Sequence, residues 1–241
     1  MHVFDPKTLQ VTGEVVTGQE DTDGLTYDPV SKYLFSINGN SKNLAVIDPV
    51  KQNIVKMMDL GGAAEAGVVD GQGTLFDNNE EKNDVVVIDT CSLEIKTRWP
   101  TGPPRTAACS WHRMRARSRF RPGRGPQFLV MMDATNGKVI QSYPITGGVD
   151  FVIFEPETNL VFVSTRDGRV HIYREDSPDK LTPVQALMTE FGAKTMALDP
   201  KTHNILVSTS DFDQPATPTE RQPNPLPRAK QGNFRVLVYA K

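Results

Sequence analysis

Cysteine is scarce: Cys91 and Cys109 are the only two in 241 residues, and they form no CxxC. A disulfide framework is therefore unsupported, and with the four histidines scattered singly so is a structural zinc site. The redox compartment stays open. No run of about 18 apolar residues occurs, so the sequence encodes no membrane-spanning helix. Neither sign of charge dominates, since 27 Lys and Arg oppose 29 Asp and Glu for a net charge of -2. That balance gives no electrostatic footprint for nucleic acid. No G-x-S-x-G, H-E-x-x-H, P-loop, C-x-x-C-H or EF-hand spacing is present. Gly61, Gly62 and Gly67 make no dinucleotide fingerprint.

What the chain does have is an internal period. An apolar pair followed by an acid recurs at Val3-Phe4-Asp5, Val46-Ile47-Asp48, Val87-Ile88-Asp89 and Met131-Met132-Asp133, and more loosely at Tyr173-Arg174-Glu175. The separations are 43, 41, 44 and 42 residues. A second series runs out of phase with the first: Tyr27-Asp28-Pro29, Val69-Asp70-Gly71, Phe154-Glu155-Pro156 and Leu198-Asp199-Pro200. Chance does not hold two interleaved markers to one period across most of a chain.

Within a unit, four short β-rich runs lie between turn formers. Leu25-Thr26-Tyr27, Tyr33-Leu34-Phe35-Ser36, Leu44-Ala45-Val46-Ile47 and Ile54-Val55-Lys56-Met57 read as strands a to d. Asp-Pro after strand a and Asn136-Gly137-Lys138 after strand c supply the local hydrogen bonds and positive φ of tight hairpins. Four antiparallel strands repeated radially make a β-propeller blade, so the fold class is all-β with helix nearly absent. Only Trp99 and Trp111 exist and no Gly-His to Trp-Asp spacing recurs, which sets the WD40 subclass aside.

The units at Asn43 to Pro49, Asp133 to Val139, Gly148 to Asp150, Arg174 to Lys180 and Thr195 to His203 resemble the YVTN-type, YncE-like propeller repeat family. The resemblance covers nearly the whole chain except about residues 101 to 126. It implies a seven-bladed ring, a frequently exported, periplasmic or secreted bacterial protein, and no catalytic residues to carry over. On that basis residues 1–241 are one propeller domain of about five to six blades. The chain opens with strands c and d, and Met1 stands in mid-blade before a strand with no leader pattern. It reads as a truncated or internally started product, against a native smaller propeller.

Two segments depart from the pattern. Arg105 to Arg124 holds seven arginines where strands a and b of one blade are due. One reading is a basic strand for nucleic acid and another is a solvated charged face. A third is a local frame error across 101–126. Trp111-His112-Arg113-Met114, regrouped one base earlier with a CGN arginine codon, gives an apolar residue, Ala, Ser or Pro, then a set that includes Asp. That matches Met196-Ala197-Leu198-Asp199 and falls where the missing acid is due. The second segment, 211–232, is a proline-rich insertion between strands b and c of the last unit, with Pro215, Pro218, Pro223, Pro225 and Pro227. It is extended polyproline II that either lids one face or is a surface insertion.

In a meander the d-to-a and b-to-c connections emerge on one face. At the d-to-a position sit Asp23, Glu65, Asp150 and Lys194, in phase with the repeat. They are the candidate ligand-binding residues, ringing one mouth of a central channel. Converging carboxylates suit a cation or a cationic ligand, the metal, if any, being unspecified. The alternative is that each acid caps backbone N-H groups between blades. His171, in strand c, and His203, in a turn, read as surface or packed histidines. No cofactor is called for. The leading function is a non-catalytic binding or scaffold propeller whose partner is a protein, an extended polymer or a small-molecule ligand. The alternative is a propeller enzyme of lactonase or cofactor-dependent oxidoreductase type.

Overall fold

The computed structural model describes all residues except 102–114, 117–126, 216, 218, 220–224, 226 and 241. Its described residues form strands and no helix. They divide into two compact units, Met1–Pro104 with Asp133–Lys138, and Arg105–Met132 with Val139–Lys241.

In the first unit, β1 (His2–Phe4) and β2 (Val11–Glu14) pair as a hairpin. β3 (Thr22–Tyr27), β4 (Leu34–Asn38), β5 (Asn43–Asp48) and β6 (Asn53–Asp59) form an antiparallel meander. β7 (Ala64–Val69), β8 (Thr74–Asn79), β9 (Asp84–Asp89) and β10 (Glu94–Pro100) form another. In the second unit, β11 (Arg115–Ala116), β12 (Gln127–Met132) and β13 (Val139–Ile145) make a three-stranded sheet. A complete meander follows, of β14 (Val149–Glu155), β15 (Leu160–Thr165), β16 (Arg169–Ser177) and β17 (Lys180–Met188). The last sheet holds β18 (Thr195–Leu198), β19 (Ile205–Thr209) and β20 (Arg235–Tyr239).

The four-run unit is therefore real, and β3 to β6 contain the four runs read from the sequence. The blade number differs from the expected five to six. Among the described residues three sheets have four strands, two have three and one has two. The first hairpin supplies only the third and fourth positions, and the last sheet only the first three. The frame-error, basic-strand and charged-face readings of 101–126 lie outside the described residues, apart from Thr101 and the backbone of β11.

Burial follows from sheets packed face to face. The middle strands β5 and β9 are buried on both faces, so Leu44 to Ile47 and Val85 to Ile88 read as unbroken apolar runs. The fourth strands β6 and β10 are largely exposed. Phe35, Ile37, Leu44 and Met58 of one sheet pack against Leu75, Val86 and Ile88 of the next. In the second unit Leu129, Met131 and Tyr143 pack against Val161, Val163 and Tyr173. First strands of neighbouring sheets come close at Gly24, where a Cβ would stand 2.9 Å from the Glu65 carbonyl oxygen. Thr26 Oγ1 donates across the same gap to the Gly67 carbonyl at 2.7 Å.

The recurring acids are turn caps. Asp48 Oδ1 accepts from the N-H groups of Val50 and Lys51, both at 3.0 Å, and Asp89 Oδ1 from those of Cys91 and Ser92 at 3.0 and 2.9 Å. Asp5, Asp28, Asp133 and Asp199 cap their turns in the same way. Four residues beyond each of these six stands a residue with positive φ: Leu9, Lys32, Gln52, Leu93, Gly137 and His203. Two of the recurring acids depart: Glu155 takes the Thr158 hydroxyl and His203 in place of backbone, and the loosest marker, Glu175, makes no such cap. β16 runs past Glu175 to Ser177, and Asp176 takes Arg174, Lys180 and Thr182 side chains instead.

Asp28 is buried at such a turn. Burial opposes its charge, but the Ser31 N-H bond, the Thr90 and Ser31 hydroxyls and the Val30 N-H together prevail and hold its pKa below the usual carboxylate value. A depressed folded pKa contributes stability above the unfolded value, about 3.9, that is lost as pH falls through the folded one. Asp28→Ala should cost about 1–2 kcal/mol in urea unfolding at pH 7, while Asp28→Asn retains most of the stability and weakens the acid loss. Equal losses for Ala and Asn would remove the cap from the account.

Candidate functional site

The two edges of each meander differ chemically. Most a-to-b and c-to-d turns, which share one edge, are short and acid-capped, those at Glu155 and between β16 and β17 being the exceptions. At the other edge the d-to-a and b-to-c connections are tied to each other. In the first unit Gly39 N donates to Asp21 O at 2.9 Å, and Glu80 N to Ala63 O at 2.8 Å. In the second unit Arg166 N donates to Gly148 O at 2.7 Å and Gly192 N to Arg166 O at 2.8 Å. All four candidate ligand residues fall at this second edge, two in each unit.

In the first unit Asp23 is exposed on β3 and its carboxylate lies over Gly39 of the b-to-c turn. Glu65, on β7, is only 8% exposed. In the second unit Asp150 and Lys194 are brought together as an ion pair. Asp150 Oδ2 also accepts from Thr195 Oγ1 at 3.1 Å, and Ser164 Oγ donates to the Lys194 carbonyl. These contacts tie β14 to β18, the first strands of adjacent sheets, with Asp150 9% exposed. This carboxylate is thus engaged by side chains of the next sheet.

Two constellations were missed in the sequence. Thr146 Oγ1 lies 2.8 Å from His171 Nε2, 3.1 Å from Asp167 Oδ1 and 3.3 Å from Thr165 Oγ1. Burial lowers the His171 pKa, against the raising influence of Asp167, so the imidazole is neutral at pH 7. Asp167 takes the threonine hydroxyls, which makes a polar hydrogen-bonding cluster. A Thr-Arg-Asp-Gly turn two residues before a strand histidine was the available signal. The second is His203, whose Nδ1 lies 2.7 Å from Oε1 of buried Glu155 on the neighbouring sheet. His203 is a packed histidine at a turn, as expected. Among the described residues no group of three or more His, Cys, Asp or Glu is arranged to hold a metal ion.

The proline-rich insertion is anchored at its base on the same edge. Phe212 bridges Ala229, Asp213 N donates to Arg228 O at 2.9 Å, and Lys230 N to Asp211 O at 2.8 Å. Phe212 meets Phe191 edge to face at 5.4 Å and occupies the space a Cβ on Gly192 would need. Arg235 joins Glu190 and Asp211 beneath it.

The Asp150 and Lys194 contacts predict an inter-sheet clamp. A double-mutant cycle with Asp150→Asn and Lys194→Met should give a coupling of about 1–2 kcal/mol in urea unfolding, reduced from fully buried pairs by the exposure of the ammonium. Coupling below about 0.3 kcal/mol would instead leave the carboxylate available to a ligand.

No family model matches the chain, and no curated protein matches it. Solved structures do. Hydrazine synthase from Kuenenia stuttgartiensis aligns with TM-score 0.70 at 18% identity, over 85% of this chain and 66% of that one. The β-propeller domain of Cps50 (Swd1) from Myceliophteria thermophila aligns with TM-score 0.69 at 12% identity, over 88% and 73%. A chain of a mitotic checkpoint complex aligns with TM-score 0.71 at 13% identity, over 86% and 66%. The chain thus spans about two thirds of the hydrazine synthase and checkpoint chains that it matches. At these identities the likeness shows the fold alone, and the fold is that of a β-propeller.

Proposed function

We propose that this chain is a non-catalytic β-propeller module that binds protein through the sheet edges, taken in each unit by itself, that carry the d-to-a and b-to-c connections. The carrying observation is the asymmetry of the two edges. One repeats the same capped turn at Asp5, Asp48, Asp89 and Asp199, departing from it at Glu155 and at the extended β16–β17 hairpin. The other differs from sheet to sheet: exposed Asp23 in one unit, the Thr146, Asp167 and His171 cluster and the anchored insertion in the other. Scaffold uniformity on one side with chemical variety on the other is how rigid folds present binding loops.

The resemblance of the repeats to the YVTN-type family supports the same reading, as does the likeness of fold to a chain of a mitotic checkpoint complex. Hydrazine synthase is an enzyme, and its name alone favours the enzymatic alternative. The polar cluster of the second unit offers neutral imidazole, hydroxyls and a carboxylate, which suit recognition of polar groups on a partner.

Photo-crosslinking in the producing cell tests the assignment of the edge. A crosslinking residue at Glu20 or Asp167 should yield a discrete protein adduct. The same residue at Val50, which is 90% exposed, or at Lys201 should not. Adducts of equal yield from Val50 and Lys201, or none from Glu20 and Asp167, would contradict it.

A further inference from the structure

The buried carboxyl of Asp77 takes no part in the turn caps or in the clusters at the sheet edges. Asp77 stands on β8, opposite Gly67 of β7 and Val86 of β9. Its strand position puts it on the face of Leu75, which packs with Val86 and Ile88 against Phe35, Ile37 and Leu44 of the neighbouring sheet. It is 0% exposed, and neither carboxyl oxygen makes a hydrogen bond of ordinary geometry, the adjacent Asn78 N-H being the one donor whose influence reaches it among the described residues.

Among the described residues the surroundings offer no cation to spare. Glu65 on β7 and Asp84 on β9 add negative charge, and among the described residues Arg98 on β10 opposes them at Asp77. Arg98 is already engaged, with Nη1 3.6 Å from Asp84 Oδ2 and Nη2 donating to the Leu60 carbonyl at 2.8 Å. Asp84 Oδ1 is itself buried and without a partner. From the facing sheet come the apolar Ile37, Leu44, Met58 and Leu60. Lys56 of that sheet donates to the Leu93 carbonyl at 2.7 Å, Lys42 pairs with Glu81 at 2.7 Å, and Lys82 acts on Asp84.

We infer that Asp77 is a proton-carrying lock between the β3–β6 and β7–β10 sheets, neutral while the sheets are packed and ionised only at the expense of that packing. An isolated carboxylate in an apolar interface is strongly disfavoured, and a proton is the smallest charge that relieves it. Burial first, then the charges of Asp84 and Glu65, push the Asp77 pKa up to about 7, with the Asn78 N-H and Arg98 opposing. The unfolded value is about 3.9. A raised folded pKa contributes stability that is complete below the unfolded value and lost as pH rises toward the folded one. The lock therefore weakens between about pH 4 and pH 7 and is fully released above that range.

The test compares the full chain with its Asp77→Asn variant, which keeps the shape and cannot ionise, by urea unfolding from pH 4 to pH 8. The folding constant of the unaltered chain should fall relative to the variant by about tenfold per pH unit across the window, and by up to about a thousandfold in total. Parallel profiles overturn the inference. Should the variant fail to fold, the Asp77 carboxyl carbon in the unaltered chain decides by NMR titration. A midpoint near 7 is expected, and one near 4 overturns the lock. Asp84→Asn should move that midpoint down, since it removes one neighbouring negative charge; an unmoved midpoint also counts against it.

Discussion

A carboxylate folded back on two backbone N-H groups, at the point where a strand ends, is the interaction on which the other regularities depend. Hairpins of this length need a residue in the left-handed region to close them, and a side chain there carries a strain of about 1–3 kcal/mol. Leu9, Lys32, Gln52 and Leu93 all accept that conformation. They do so four residues after an acid whose side chain satisfies the turn's N-H groups. The N-H of Leu9, Lys32 and Leu93 then closes on the acid's own carbonyl at 2.8, 2.8 and 2.9 Å. Removing the acid leaves the strained residue without its compensation.

Fixing one edge in this way frees the other. Because the capped turns hold register, the strands between them keep apolar side chains on both faces, and successive sheets pack through Phe35, Leu44, Val86 and their equivalents. The opposite connections need only join strands. One of them therefore tolerates the proline-rich insertion, whose base is pinned by Phe212 on Phe191. Polar groups at that edge are held by neighbouring sheets, as Asp150 is by Lys194 and Thr195.

The fold was legible where local chemistry repeats. Val46-Ile47-Asp48 and Leu198-Asp199-Pro200 each mark a strand end and its cap, so phase, strand number and edge could be read together. Glu175 misled because the hairpin there is extended and Asp176 takes side chains in place of backbone. The site was less legible because partnership across sheets leaves no mark at a fixed spacing. Asp150 and Lys194 were placed at one edge, but not as a pair. Asp167 and His171 sit four residues apart on one hairpin, but Thr146 comes from a separate connection that only the pairing of β14 with β15 and of β15 with β16 brings to them. Asp77 looks in sequence like any polar residue of a strand, and only the packing of two sheets shows that it is sealed from water.

Native-state hydrogen exchange at the capped turns measures the central interaction directly. The amides of Lys32, Leu93, Gly137 and His203 are bonded to the carbonyls of Asp28, Asp89, Asp133 and Asp199. They should exchange as slowly as the adjoining strands, opening only with the sheet. Exchange of these four amides at the rate of unprotected loop residues, with the strands still protected, would show that the turns follow the sheets and do not set them.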